Sequence, residues 1–257
     1  MINTFQIGCD PEFVALDKDL KLIKTTFVTD EDLDKSAVTE VGFDHNGRVI
    51  ELRPKPTQGT FALCRRLQRL VGEAIEQFPN ASKFRAGATC SGESLGGHVH
   101  FGVPVYTQGN GYYTEVNPDI ALPISALDKV TYILEHLDIL PMGESANRRK
   151  GKFGKWGDIR DSDGHLEYRT MASWLYDPRV SFLCLTAAKL AASEPKSTLD
   201  ALAKVTSFEG LEAWMRLYRD KDANARRAVE KIFPKGLKTV QIDPDVDFRE
   251  RWKELGI

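Results

Sequence analysis

Cysteine is scarce in this chain, and its four residues (Cys9, Cys64, Cys90 and Cys184) lie far apart with no CxxC pair. That pattern argues against a disulfide framework or a cysteine zinc site and predicts reduced, buried thiols. Long apolar runs are missing, so no segment reads as a bilayer-spanning helix. The N-terminal stretch MINTFQIGCDPEF lacks the basic flank and apolar centre of a secretion signal. Charge of one sign is missing too. A net charge of -2 with a pI near 6.2 gives no basic footprint for nucleic acid or an anionic membrane. Together these absences predict a cytoplasmic protein with no nucleic-acid or membrane partner. Several nucleotide and metalloprotease signatures are absent as well: GxxxxGK[ST], GxGxxG after a strand, and HExxH. There is no internal repeat and no low-complexity tract.

What is present is ordinary in bulk and pointed in detail. With 257 residues, 42% apolar and 28% charged, the chain can bury one large core or two small ones. FQIGCDPEFVALD reads as a strand, with Pro11 placing it at an edge or bulge. LKLIKTTF is a candidate hairpin partner. Asn46-Gly47 reads as a type I′ turn between two short extended runs. A helical stripe of Cys64, Leu67, Val71, Ile75 and Phe78 predicts a helix over 60–78, stopped by Pro79. FRAGATC and HVHFGVPVY read as strands, 125–140 as a helix, and the Arg-, Lys- and Gly-rich stretch 144–163 as a loop. HLEYRTMAS reads as a strand, and a helix follows Pro178 to about Ala192. From Pro195 the pattern is helical and polar. Strands early and helices late predict an α+β fold with a helical C-terminal appendage. We expect two units, 1–194 and 195–257.

Four pairs of residues two apart can carry chemistry, because alternate residues of a strand share a face. Asp10 and Glu12 place carboxylates side by side, which repel unless solvent, a proton or a cation intervenes. Asp44 and Glu51 flank the predicted turn, so a hairpin can bring them near one another, with Arg53 on the face of Glu51 and Ile50 and Leu52 on the other. Taken alone, that set is as consistent with a surface ion pair. His98 and His100 sit in GGHVHFG, where imidazoles suit a metal or a nucleotide and glycines allow a ligand close to the backbone. Glu167 and Arg169 join a carboxylate to a guanidinium suited to phosphate oxygens, after a cationic run of Arg148, Arg149, Lys150, Lys152, Lys155 and Arg160. A face of acids, histidines and arginines fits a polyphosphate with a divalent metal. A mononuclear iron or zinc site built on the HxH pair is the competing reading.

The ordered set of D-x-E, an acid with E-x-R about a turn, GGHVHFG, a Gly/Arg/Lys loop and LEYR resembles the glutamine synthetase and glutamate–cysteine ligase superfamily. Within it the chain is most similar to the phage COOH-NH2 ligase type 2 group, over about Phe5 to Ser173 and the helix that follows. The resemblance implies a glutamine-synthetase-like catalytic domain, a curved and mostly antiparallel sheet with helices packed on one face. It implies ATP and Mg²⁺ or Mn²⁺ as cofactors, with a pair of ions. Asp10, Glu12, Asp44, Glu51 and Glu167 would hold metal, with either His98 or His100. Arg160, Arg169 and Glu51 would be catalytic; Arg53, His100 and Lys155 would contact nucleotide, and Arg148 and Arg149 are secondary candidates. The implied reaction transfers the γ-phosphoryl to a carboxylate, giving an acyl phosphate that an amine converts to an amide. The 144–163 loop would close over it. Substrates would be small-molecule or peptide acids and amines, and oligomers are known among such relatives. The alternatives are a guanidino- or amino-group kinase on this fold, or a non-catalytic nucleotide-binding or virion-associated protein.

Overall fold

A computed structural model describes residues 5–25, 39–102, 121–162, 165–193, 195–219, 243 and 246–254. Its organising element is β1 (Ile7–Leu16), whose ten residues are all buried. β2 (Val41–Asp44) and β3 (Val49–Leu52) form a hairpin beside it. β4 (Lys83–Arg85) pairs with the far end of β1, and β5 (Thr89–Cys90) and β6 (Glu93–Ser94) make a separate small hairpin. β7 (Gly97–Gly102), β8 (Ile159–Ser162) and β9 (His165–Tyr168) complete the main sheet. Its order is β2-β3-β1-β7-β9-β8, with β4 off the path, and every pairing is antiparallel.

Pro11 is the first departure from expectation, since β1 is central and not an edge. The strand pairs with β7 over Ile7–Pro11 and with β3 from Glu12 onward. Glu12 donates its N–H to Gly96 on the β7 side, so by alternation the proline nitrogen faces the other flank. There the Ile7–Thr57 bridge has ended and the β3 ladder has not begun. The missing N–H therefore costs no ladder bond. The candidate partner after Leu20 is reduced to one bridge, Leu16 to Leu22, and its residues from 26 on lie outside the described residues.

The hairpin is centred on Asn46-Gly47 as expected, but its ladder closes at Asp44–Val49, so the loop spans four residues and is not a two-residue turn. Within that loop the N–H of Gly47 bonds to the carbonyl of Asp44 across His45 and Asn46, at φ 49° and 57°. FRAGATC breaks into β4 and β5, and the part of HVHFGVPVY after Gly102 lies outside the described residues.

Seven helices occur among the described residues. α1 (Thr60–Glu76) buries Leu63, Cys64, Leu67, Leu70, Val71 and Ala74. α2 (Ala121–His136) ends four residues before the predicted stop, where Asp138 takes a φ of 53°. α3 (Met142–Lys150) takes up the first third of what read as a loop. Pro141 and Gly143 looked like stops but open this helix: proline is tolerated at a helix start, Glu144 lies in the first turn, and Arg148, Arg149 and Lys150 lie in the last. α4 (Pro178–Ser193) is buried almost all round and packs against α1 and α2.

α5 (Pro195–Leu202), α6 (Phe208–Arg219) and α7 (Arg249–Glu254) follow. Leu211, Trp214, Phe248 and Trp252 belong to the same core as β1 and α1. Phe248 packs edge-on to Phe13, 5.3 Å between ring centroids. All four cysteines are free and buried, as their sparse spacing predicted. No helix among the described residues is long and apolar enough to cross a membrane.

Candidate active site

Strand register builds the site. Asp10 of β1 stands opposite His98 of β7, and Glu12 opposite Glu51 of β3. His100 stands opposite Glu167 of β9, which stands opposite Arg160 of β8. Cys9 and Phe13 of β1, with Ile50 and Leu52 of β3, fill the main core on the reverse face. The period of two thus separates a polar face from an apolar one on the same strands.

On the polar face Asp10, Glu12, Glu51, His98 and Glu167 are all buried. His98 Nδ1 lies 3.1 Å from Asp10 Oδ1 and 3.3 Å from Glu167 Oε1, and His100 Nε2 lies 3.0 Å from Asp10 Oδ2. Arginines rim the cluster. Arg160 Nε donates to Glu167 Oε2 at 2.6 Å, Arg169 Nε lies 3.2 Å from Glu167 Oε1, and Arg53 pairs with Glu51. Asp10 Oδ1, His98 Nδ1, His100 Nε2 and Glu167 Oε1 are buried, yet none has a hydrogen bond of acceptable geometry despite these close approaches. Orphaned polar atoms converging on one point are costly unless something holds them together. The donors also group as Asp10/Glu51/His98 and Asp10/His100/Glu167, each set within 4.8 Å. This chemistry fits a divalent cation.

Charge states agree with that fit. Burial acts to raise the Asp10 carboxyl, but His98 and His100 together outweigh it and hold Asp10 below the usual carboxylate range. Burial and the repulsion of Asp10 push Glu51 up to about 8, against the pull of Arg53. Burial also raises Glu12, partly offset by His98. Burial favours neutral His98, but Asp10, Glu12 and Glu167 together override it and raise the imidazole. One acid ionised beside another pushed to neutrality is what close carboxylates do without a cation.

Some expected residues are placed elsewhere. Asp44 is not beside Glu51; Gly42 is, and Asp44 sits opposite Val49 at the exposed hairpin end, accepting from the N–H of His45. Lys155 is exposed, and its backbone carbonyl accepts from Thr170 Oγ1 at 2.8 Å. Arg149 makes a two-pronged pair with buried Glu135 and stacks over Trp156. Arg148 is buried, donating to Ser94 Oγ and to the carbonyls of Thr170 and Met171. Nor does 144–163 behave as the free closing loop expected from its composition. Beyond α3 it is tied down: the N–H of Gly157 donates to Asp128 Oδ1, which also accepts from Tyr168 Oη, and the N–H of Arg169 donates to Asp158. This turn fixes Arg169 in place.

The paired glycines serve internal packing and not ligand approach. A Cβ on Gly96 would collide with the ring of His98, and one on Gly97 with the Ala172 carbonyl and the Trp174 indole, whose Nε1 donates to the Gly97 carbonyl. Gly96→Ala should therefore displace the His98 imidazole, lowering Mn²⁺ affinity roughly tenfold and stability by about 1–3 kcal/mol. Titration calorimetry and thermal melts check both; unchanged metal binding would remove His98 from the site.

Sequence reasoning missed two features. His165 packs its ring against His100, 4.9 Å between centroids. The two-residue rule finds it, because His165 precedes Glu167 by two. Buried Glu93 accepts from His45 and pairs with Arg48, a contact across distant segments that no local spacing reveals. A cavity of about 370 Å³ adjoins the cluster, lined by Asp10, His100, His165, Arg53, Pro54 and Pro56. A separate one of about 530 Å³ is lined by His45, Arg85, Glu93, Arg148 and Lys152.

No curated protein sequence matches the chain. Among solved structures it is similar to a bifunctional glutathione synthetase from Pasteurella multocida, with a TM-score of 0.53 and 11% identity, over 96% of this chain and 48% of that one. The chain therefore spans about half the length of that protein, and the likeness is one of fold. A structure described as a novel glutamine synthase homolog matches at a TM-score of 0.45 and 16% identity, over 97% of this chain and 71% of that one. The profile of one family, Phage phiEco32-like COOH.NH2 ligase-type 2, matches residues 7–254, nearly the full length. With a sheet that presents acids, imidazoles and arginines on one face, and that match along it, the chain belongs to the phiEco32-like type 2 family of COOH.NH2 ligases.

Proposed function

We propose that the chain is an ATP-dependent carboxylate–amine ligase that forms an amide through an acyl phosphate. The observation that carries this reading is the convergence of buried, unsatisfied donors from Asp10, His98, His100 and Glu167 inside a rim of arginines. Asp10, Glu12, Glu51, His98 and Glu167 are the metal-holding groups, in line with the expectation from resemblance. Asp44 and Lys155 stand exposed, outside this group. Divalent ions held there would bridge phosphate oxygens and neutralise their charge. Arg160 and Arg169 lie at the edge of the acids, where a guanidinium can follow charge building on a transferred phosphoryl group. Arg160 is half-exposed and so can reach beyond Glu167. Arg53 and His100 border the cavity open to Asp10, which leaves room for the reacting groups. A site in the cytoplasm, where ATP is present, accords with this reading. Residues 195–257 act in it as an extension packed on a catalytic unit of 1–194.

The test is an ADP-release screen of acid and amine pairs with Mg²⁺ or Mn²⁺, with products identified by mass. ADP release with a phosphorylated amine and no amide would replace the ligase with a kinase. Nucleotide binding without turnover across the panel would leave a non-catalytic binder.

The metal part has a pH signature. Without a cation, folded Glu51 keeps its proton up to about pH 8, whereas the unfolded chain loses it near 4.5. Its contribution to stability is therefore present below the unfolded value and lost as pH rises through the folded one. Melting temperature in chelator should fall between about pH 5 and about pH 8, and added Mn²⁺ should reverse the fall. Mn²⁺ affinity should rise over the same range, because below about pH 8 the ion must displace a proton. A flat melting profile in chelator would show that Glu51 is not held neutral.

A further inference from the structure

The cavity of about 530 Å³ lies between the β5–β6 hairpin, the β2–β3 turn and the end of α3 with the turn that follows it. Its charges do not balance. Glu93 is taken up by His45 Nδ1 at 2.7 Å and by Arg48 at 3.1 Å. Glu144 is taken up by Arg85 at 2.9 Å. Two lining cations are left over. Arg148 is 6% exposed, and its donors go to Ser94 Oγ and to the backbone carbonyls of Arg169, Thr170 and Met171, none of which carries a charge. Glu12 and Asp158 favour its charge through space, but neither accepts a bond from it, and burial pulls the guanidinium down to about 10. Lys152 is exposed and has no hydrogen bond or ion pair among the described residues. A buried cation beside open space and without a counter-ion is costly, and a bound anion relieves that cost.

The wall of this cavity is tied to the acid cluster by a short stretch of chain. Ser94 lies two residues before Gly96, whose N–H donates to Glu12 Oε2 at 2.5 Å. Two residues span at most about 7 Å. His45 and Phe153 set their rings on the same cavity, 6.1 Å between centroids, and give an organic body a surface to rest on.

We propose that this cavity binds a non-reacting anionic group, a carboxylate or a phosphate, on one of the two substrates, with Lys152 as its direct partner and Arg148 as the buried charge beside it. The anion site stands on the cavity and its charges; that the bearer is a substrate rests on the ligase reading above. Anchored here, a substrate reaches the acids with its other end. The substrate class is therefore an acid or an amine that carries a second, anionic group, such as a dicarboxylate or an amino acid. Lys152 selects for that group and does not touch the reacting atoms.

The test uses the full chain, deuterated and ¹⁵N-labelled, in Mg²⁺ without nucleotide. Succinate and methyl phosphate are the probes, with butylamine as the control of opposite charge. One or both anions should give saturable shifts in the amides of Ser91, Gly92, Gly151 and Phe153, and butylamine should not. The tighter of the two anions tells carboxylate from phosphate. Lys152→Glu, at an exposed position, should keep the fold and weaken that binding about tenfold or more. In the ADP-release screen, acids or amines with a second carboxylate should show a KM about tenfold below that of their carboxamide counterparts, with kcat unchanged. Lys152→Glu should erase that difference, and the series that shows it identifies the bearer. No saturable shift, shifts confined to Gly8 and Gly102 of the other cavity, equal binding by Lys152→Glu, or displacement of succinate by ADP would each overturn the inference. Anion binding here with no amide from any pair keeps the anion site and removes the ligase reading. Amide formation with no gain from a second anionic group keeps the ligase and removes the substrate assignment.

Discussion

Glu167→Gln should lower ADP release by about a thousandfold and leave Mn²⁺ binding severely weakened, with the fold retained. Glu167 is fully buried at the middle of the site. One oxygen accepts from Arg160, and the other lies near both His98 and Arg169. The amide keeps the shape and removes the charge. It takes a ligand oxygen from the cation and leaves two guanidinium groups without their shared counter-ion. Those groups then repel a metal and bind phosphate too early, so ground state and transition state both suffer. Steady-state ADP release, compared with Mn²⁺ titration and circular dichroism on the same sample, checks this. Turnover within tenfold of the parent would place the reaction elsewhere.

The second large effect is one of stability. Trp252→Ala should destabilise the protein by roughly 3–5 kcal/mol, a fall in melting temperature on the order of 10 °C. Trp252 is 2% exposed. Its indole donates to the buried carbonyl of Leu175 at 2.7 Å, and its own carbonyl accepts from Gln68 on α1. The substitution opens a cavity and strands an acceptor. A loss below about 1 kcal/mol in denaturant titration would show that α7 is only loosely docked.

How much of this was legible beforehand follows from the physics of each element. β1, β3, β7 and β9 carry their chemistry at spacing two, and that period survives into the fold, so Asp10, Glu12, Glu51, His98, His100, Glu167 and Arg169 were readable as same-face pairs. Asp44 failed because a ladder centred on Asn46-Gly47 sets it opposite Val49 and puts Gly42 opposite Glu51. The loop expected over 144–163 failed because its glycines and cations also suit a helix with basic residues at its C-terminal end followed by a tightly bonded turn. Pro11 misled because a proline inside a central strand is harmless where one ladder stops and the next starts, and that junction is set by residues 51 and 57. The roles of Arg148 and Glu93 depended on partners on separate segments, such as Ser94 and His45, which local pattern does not encode.

Phe248 against Phe13 also sets an order of events in folding. The two rings are far apart in sequence, and contacts of such separation close late because the entropy of the long intervening loop must be met first. The acid-bearing strand therefore keeps its rear face unsealed until the segment carrying Phe248 docks, and its carboxylates gain their fixed spacing only then.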